Sequence, residues 1–174
     1  VIERGGVFFG TAGGRLLGLD LATGTVGWEA AIATPKGATE LERIADVTSL
    51  PTIDERYACA TAYQGRTGCF DAVRGTPVWT RDIGSLGGIA IDGKNLYVTD
   101  DAGAVHALDR STGASVWKQD KLAQRRIGGP QLVADHVGVV DVEGWLHLIS
   151  PVNGNSSWRP STCSSSRRNW LMYR

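Results

Sequence analysis

Four times along this chain a glycine is followed six residues later by Asp or Ser, ten residues later by a second glycine and fourteen residues later by a tryptophan. The copies are Gly14, Asp20, Gly24 and Trp28; Gly65, Asp71, Gly75 and Trp79; Gly103, Asp109, Gly113 and Trp117; and Gly144, Ser150, Gly154 and Trp158, with tryptophans 51, 38 and 41 residues apart. A period of this length marks an array of supersecondary units, none of which can bury its apolar face alone.

The unit is legible in its alternation. An apolar strand precedes each first glycine, as in Val7-Phe8-Phe9 and Asn95-Leu96-Tyr97-Val98. The glycine permits a tight hairpin into a second strand, such as Ala104 to Leu108, and a turn of the type Asp109-Arg110-Ser111-Thr112-Gly113 then leads to the tryptophan strand. Asp suits that turn because its carboxylate accepts bonds from backbone N–H groups a few residues on. A short apolar stretch opens later units: Pro51-Thr52-Ile53, Gly88 to Ile91 and Pro130 to Val133. Both alternating side-chain sets of the second strand are apolar or small, Leu17, Leu19, Phe70, Leu108 and Ile149 on one, Leu16, Gly18, Cys69, Val105 and Ala107 on the other. A sheet covered on both faces needs that pattern. The expected fold is all-β, a β-propeller of four-stranded antiparallel blades, with four blades and the last incomplete. The one helix candidate is Thr39 to Ala45, opened by the capping pair Thr39 and Glu42, and it accounts for the longest spacing.

Composition narrows the function. With a formal net charge of zero and 21% charged residues, nothing electrostatic favours nucleic acid or an anionic membrane as partner. No apolar run approaches the roughly 20 residues of a membrane-spanning helix. Val1-Ile2-Glu3-Arg4 runs straight into the first strand without a signal-peptide pattern, as expected if the true N-terminus lies elsewhere. The cysteines Cys59, Cys69 and Cys163 lack metal-ligand spacing. Cys59 and Cys69 lie on strands joined by one hairpin, so a bond between them is open, but the preferred reading is two small buried apolar residues. Residues 1–154 are thus expected to form the partial propeller, and 155–174 an atypical tail. Its Ser, Arg, Pro and Trp bias fits either a shifted reading frame or a flexible polar segment.

The repeats resemble those of the quinoprotein-like propellers: His106-Ala107-Leu108-Asp109 with Thr112-Gly113 and Trp117, and Leu17-Gly18-Leu19-Asp20 with Thr23-Gly24 and Trp28, carry that pattern. The stretch from Gly37 to Val47, followed by Pro51 and Ala62-Tyr63-Gln64-Gly65, and later Asp141 to His147, is similar to the BamB family. Its members are periplasmic lipoprotein subunits of the outer-membrane β-barrel assembly machinery. The resemblance runs from about Gly5 to Gly154. It implies an eight-bladed ring of which this chain is about half, with the lipid anchor outside this sequence. It further implies a non-enzymatic scaffold without cofactor at the periplasmic face of the outer membrane. The implied partners are the periplasmic domains of the central barrel-inserting subunit and, as a second class, unfolded outer-membrane proteins.

In that family, partner contact involves the turn after a blade's Leu-Asp strand end, here Phe70-Asp71-Ala72-Val73-Arg74-Gly75. The family's Leu-Asp-Leu-Arg is altered, with Ala72 and Val73 in the last two places and Arg74 one later. An exposed aromatic beside an arginine makes a reasonable anchor, so Phe70, Asp71 and Arg74 are the expected contacts, with Asp100 and Asp101 on what is taken as a neighbouring hairpin. For Asp100-Asp101 and for Asp141 with Glu143, a solvated hairpin tip is preferred over cation binding or acid–base work. His106 and His147 recur three residues after the glycine; a strand position tolerating histidine is preferred over a metal pair. The rival functions are a quinone-dependent dehydrogenase, whose family pattern includes adjacent cysteines absent here, and a generic repeat ligand-binding module.

Overall fold

Among the described residues, sixteen strands group into four antiparallel sheets of four consecutive strands each. The computed structural model describes residues 1–3, 5–33, 46–47 and 49–158; the helix expected over Thr39 to Ala45 and positions 159–174 lie outside them. Blade 1 comprises β1 (Ile2–Glu3), β2 (Gly6–Thr11), β3 (Arg15–Asp20) and β4 (Val26–Ala31). Blade 2 comprises β5 (Thr52–Ile53), β6 (Tyr57–Thr61), β7 (Thr67–Asp71) and β8 (Pro77–Arg81). Blade 3 holds β9 (Ile89–Ile91), β10 (Asn95–Thr99), β11 (Val105–Asp109) and β12 (Ser115–Gln119), and blade 4 holds β13 (Gln131–Val133), β14 (His136–Val140), β15 (Leu146–Ile149) and β16 (Ser156–Trp158).

Each blade is a meander with the short first strand at one edge and the tryptophan strand at the other. The first strands of blades 2, 3 and 4 approach one another, β5 to β9 and β9 to β13. They therefore lie on the inner side of the array, and the tryptophan strands form its rim. The all-β propeller read from the sequence is the observed architecture.

The core sits between blades, and the two-residue period of a strand dictates how it is shared. Ala58, Ala60 and Phe70 of blade 2 pack back against Leu16 and Ala30 of blade 1. The alternate set of blade 2, Tyr57, Cys59, Cys69 and Trp79, packs forward against Leu96, Val98 and Leu108 of blade 3. Tyr97, Val105 and Ala107 of blade 3 then meet Val137, Val139 and Ile149 of blade 4. This is why neither face of the middle strands could be polar.

In blades 1 to 3 the pairing of the third and fourth strands shifts by one residue, between Gly18 and Leu19, Cys69 and Phe70, and Ala107 and Leu108. Each bulge sets the tryptophan opposite the middle of the third strand, with Trp28 facing Gly18, Trp79 facing Cys69 and Trp117 facing Ala107. Blade 4 lacks the shift: β16, which falls on the first residues of the region set apart as a tail, places Trp158 opposite His147.

Two expectations are corrected here. The fourth blade, expected to be incomplete, has all four strands. Cys59 and Cys69 are not free buried thiols but a disulfide, with Cα atoms 4.1 Å apart. They are direct cross-strand partners in the β6–β7 hairpin, and such pairs bring side chains within bonding range.

Candidate partner interface

The β3–β4 type turns are built alike. In blade 2, Asp71 Oδ1 accepts the N–H groups of Val73 and Arg74 at 3.0 and 2.8 Å, and the Gly75 N–H donates to the Asp71 carbonyl at 2.8 Å. Those two side-chain bonds, Arg74 first and then Val73, hold the Asp71 carboxyl below its usual value. Gly75 closes the turn at φ +69°, a conformation that glycine adopts without a Cβ clash. Asp20 and Asp109 repeat the arrangement with Ala22 and Thr23, and with Ser111 and Thr112.

In blades 2 to 4 the turn is also clamped from the preceding blade. The Trp28 indole N–H donates to the Ala72 carbonyl at 3.1 Å, Trp79 to Arg110 at 2.8 Å and Trp117 to Pro151 at 2.9 Å. The indole lies flat on the turn glycine: a Cβ on Gly75 would come within 2.6 Å of Trp28, and one on Gly113 within 2.5 Å of Trp79. The recurring glycine and tryptophan are thus two halves of one inter-blade contact, and the expectation that Trp28, Trp79 and Trp117 pack between blades holds.

The residues singled out for partner contact divide on this geometry. Phe70 is not exposed: at 1% it is buried between blades 1 and 2, because it belongs to the backward-facing set of β7. Asp71 shapes the turn, and Arg74 is exposed. The exposed apolar residue of the turn is Val73, at 82%. It could have been recognised in the sequence, since it lies beyond the strand's last inward position.

Asp100 and Asp101 do not join them. They lie on the β10–β11 hairpin, at the opposite end of the strands from the turns that follow β7 and β11. One end face of the array therefore carries the Asp turns, and the other carries these hairpins. On the hairpin face Asp100 is not a solvated tip: its Oδ1 accepts from Ala102 and Ala104 N–H at 3.0 and 2.8 Å, and Oδ2 accepts from His106 Nε2 at 2.8 Å. Blade 4 repeats this with Asp141, Glu143, Trp145 and His147. Arg125 also reaches Asp141 at 3.1 Å. Burial alone would raise the Asp141 carboxyl, but the bonds from His147, the Trp145 N–H and Arg125 outweigh it and hold it at about 2. The two histidines are hairpin braces, and no cluster of three metal-ligating side chains exists among the described residues. Of the two blade 3 aspartates Asp101 is the exposed one, its carboxyl raised by partial burial and by the adjacent Asp100. It borders a cleft of about 470 Å³ also lined by Tyr63, Leu86 and Arg126.

Blades locked turn to indole define the class: a repeat β-propeller. The family model for outer membrane protein assembly factor BamB matches residues 1–119, and the chain belongs to that family. It is 43% identical over 155 residues to the outer membrane protein assembly factor BamB of Bordetella pertussis, covering 88% of this chain and 40% of that protein. The chain thus spans about 40% of the length of the curated relatives it matches. Among solved structures, BamB from Moraxella catarrhalis superimposes with a TM-score of 0.84 at 24% identity, over 92% of this chain and 48% of that one. A europium-containing methanol dehydrogenase superimposes with a TM-score of 0.71 at 15% identity, over 90% and 40% of the two chains; that likeness concerns the fold alone.

Proposed function

We propose that this chain is part of a non-enzymatic scaffold of the outer-membrane β-barrel assembly machinery, positioned at the periplasmic face of that membrane. Its partners on this reading are the periplasmic domains of the central barrel-inserting subunit, with unfolded outer-membrane proteins as a second class. The observation that carries the reading is membership of the BamB family across residues 1–119. The Cys59–Cys69 disulfide supports the compartment, since such bonds persist in oxidising surroundings such as the periplasm.

The contact surface proposed is the turn Asp71–Gly75. Val73 and Arg74 project from a backbone fixed on one side by the Asp71 carboxylate and on the other by the Trp28 indole. A surface held in its bound shape before the partner arrives avoids the ordering cost of binding. Phe70 acts from beneath by packing the turn onto blade 1. Asp100 and Asp101 belong to a separate contact on the hairpin face, where Asp101 is the accessible member.

The reading is tested by titrating the purified periplasmic domains with the folded chain in a calorimeter. Saturable binding supports the scaffold function. Absence of heat and of co-migration with a chain that is folded, disulfide-bonded and at concentrations up to about 100 μM removes it.

A further inference from the structure

The turns between the first two strands of blades 1, 2 and 3 carry a carboxylate at the same place, and two of the three are occupied. Strand register makes Glu3, Asp54 and Asp92 counterparts: each lies across from the residue, Gly6, Tyr57 or Asn95, that faces the blade's turn Asp. Between blades 2 and 3, Arg110 donates to Asp54 at 2.7 Å and lies 5.6 Å from the centre of the Tyr57 ring. Between blades 3 and 4, the Tyr97 hydroxyl donates to Asp92 at 2.5 Å. Between blades 1 and 2 the same positions hold Gly6 for Tyr57, Ala72 for Arg110 and, for Tyr97, a Phe8 that has no hydroxyl. What remains is a pocket of about 300 Å³ lined by Phe8, Trp28 and Ile53. Four carboxylates, Glu3, Asp20, Asp54 and Glu55, also line it, with no cationic side chain among its described lining residues. Glu3 is exposed, and no described residue bonds its carboxylate.

We propose that the gap between blades 1 and 2 is a pocket for an arginine side chain presented by a protein partner that docks on the turn face. The filled gap beside it states the occupant's chemistry: a guanidinium set on an aromatic ring, with its N–H on a carboxylate. In the open gap Phe8 and Trp28, ring centres 5.9 Å apart, supply the aromatic wall, and Glu3 supplies the carboxylate. A planar guanidinium stacks on such a wall and can bond a carboxylate at two points, whereas an ammonium is a compact, strongly hydrated charge. Val73, 82% exposed, lines the same pocket, which therefore opens onto the Asp71–Gly75 turn. The source of the arginine rests on the scaffold reading; the pocket does not.

The probe is N-acetyl-arginine amide, titrated into the 174-residue chain while the indole N–H resonances are followed. Trp28 borders the open gap and Trp79 the filled one, so the control lies within the same molecule. The amide should shift the Trp28 resonance saturably at millimolar concentrations and leave Trp79 in place. N-acetyl-citrulline amide, its uncharged isostere, should shift neither. Glu3→Gln should weaken the arginine amide about threefold or more. Ala72→Arg installs the residue found in the filled gap and should abolish the shift, with an unmoved Trp79 resonance reporting that the blades remain docked. Equal responses of the two indoles, equal binding of the citrulline amide, or undiminished binding to a folded Ala72→Arg chain overturns the proposal. The purified periplasmic domains should bind the Ala72→Arg chain about tenfold more weakly than the unaltered one. Equal affinity for both chains overturns the proposal as well, whereas binding to neither is a failure of the scaffold reading and leaves the pocket to be decided by the amide titration.

Discussion

The two end faces of the blade array follow different rules. On the turn face, blades 2 to 4 repeat the same glycine, the same clamped carbonyl and the same incoming indole. On the hairpin face the closure differs between blades: blade 2 pairs the Thr67 and Thr61 hydroxyls at 2.8 Å, whereas blades 3 and 4 use an Asp–His brace. The difference teaches where the repeat is constrained. Inter-blade docking passes through the turn face, so its residues cannot vary one blade at a time. The hairpins bond instead to the segments that connect the blades, the Ala62 carbonyl accepting from Ser85 N–H, the Val140 carbonyl from Gly128 N–H and the Asp141 carboxylate from Arg125, and those segments differ from blade to blade. A rigid, uniform face is suited to present Val73 and Arg74; a variable one is suited to individual contacts such as Asp101.

The largest effect should come from removing a clamp. Trp79 is 8% exposed, flanked by blades on both sides and bonded to Arg110, so Trp79→Ala should cost about 3–5 kcal/mol in chemical denaturation. A loss below about 1 kcal/mol would mean that the indoles decorate the rim rather than lock it. Attacking the same contact from the other side, Gly113→Asn should cost about 2–4 kcal/mol, because its Cβ would sit 2.5 Å from Trp79. If that variant were as stable as the parent, turn glycines would be serving backbone conformation alone.

The hairpin face should instead respond to acid. The Asp141 carboxyl, held at about 2 against an ordinary 3.8, favours the folded chain at pH values above about 4. That contribution, about 1–2 kcal/mol, fades as pH falls from about 4 towards 2. His147→Ala removes the main donor, and the midpoint of acid unfolding should move to higher pH. An unmoved midpoint would show that the brace contributes nothing to stability.

The sequence already contained the blade count, the strand order and the docking role of the tryptophans, because those rest on period and alternation, which are local. It also contained more than composition alone conveys. Cys59 and Cys69 flank one hairpin symmetrically, and working out its register pairs them directly; weighing the cysteines by residue type alone hides the bond. Asp71 ends a third strand while Asp100 ends a second strand, so strand direction by itself puts them on opposite faces. Phe70 shares strand parity with Leu108 and Ile149, both buried. The His106 and His147 braces were not legible, since an Asp three residues before the hairpin glycine reads as an ordinary polar tip until its second oxygen has a donor.

The smallest effect on stability, and the most direct test of the scaffold account, comes from changing exposed charge on each face and measuring binding. Arg74→Glu and Asp101→Lys should each alter unfolding by less than about 0.5 kcal/mol. Titrated against the periplasmic domains of the barrel-inserting subunit, Arg74→Glu should weaken binding by about 1–3 kcal/mol, roughly 5- to 150-fold in Kd, while Asp101→Lys leaves that contact largely intact. Unchanged affinity in a folded Arg74→Glu chain, with a loss confined to Asp101→Lys, would place the partner on the hairpin face and contradict the account.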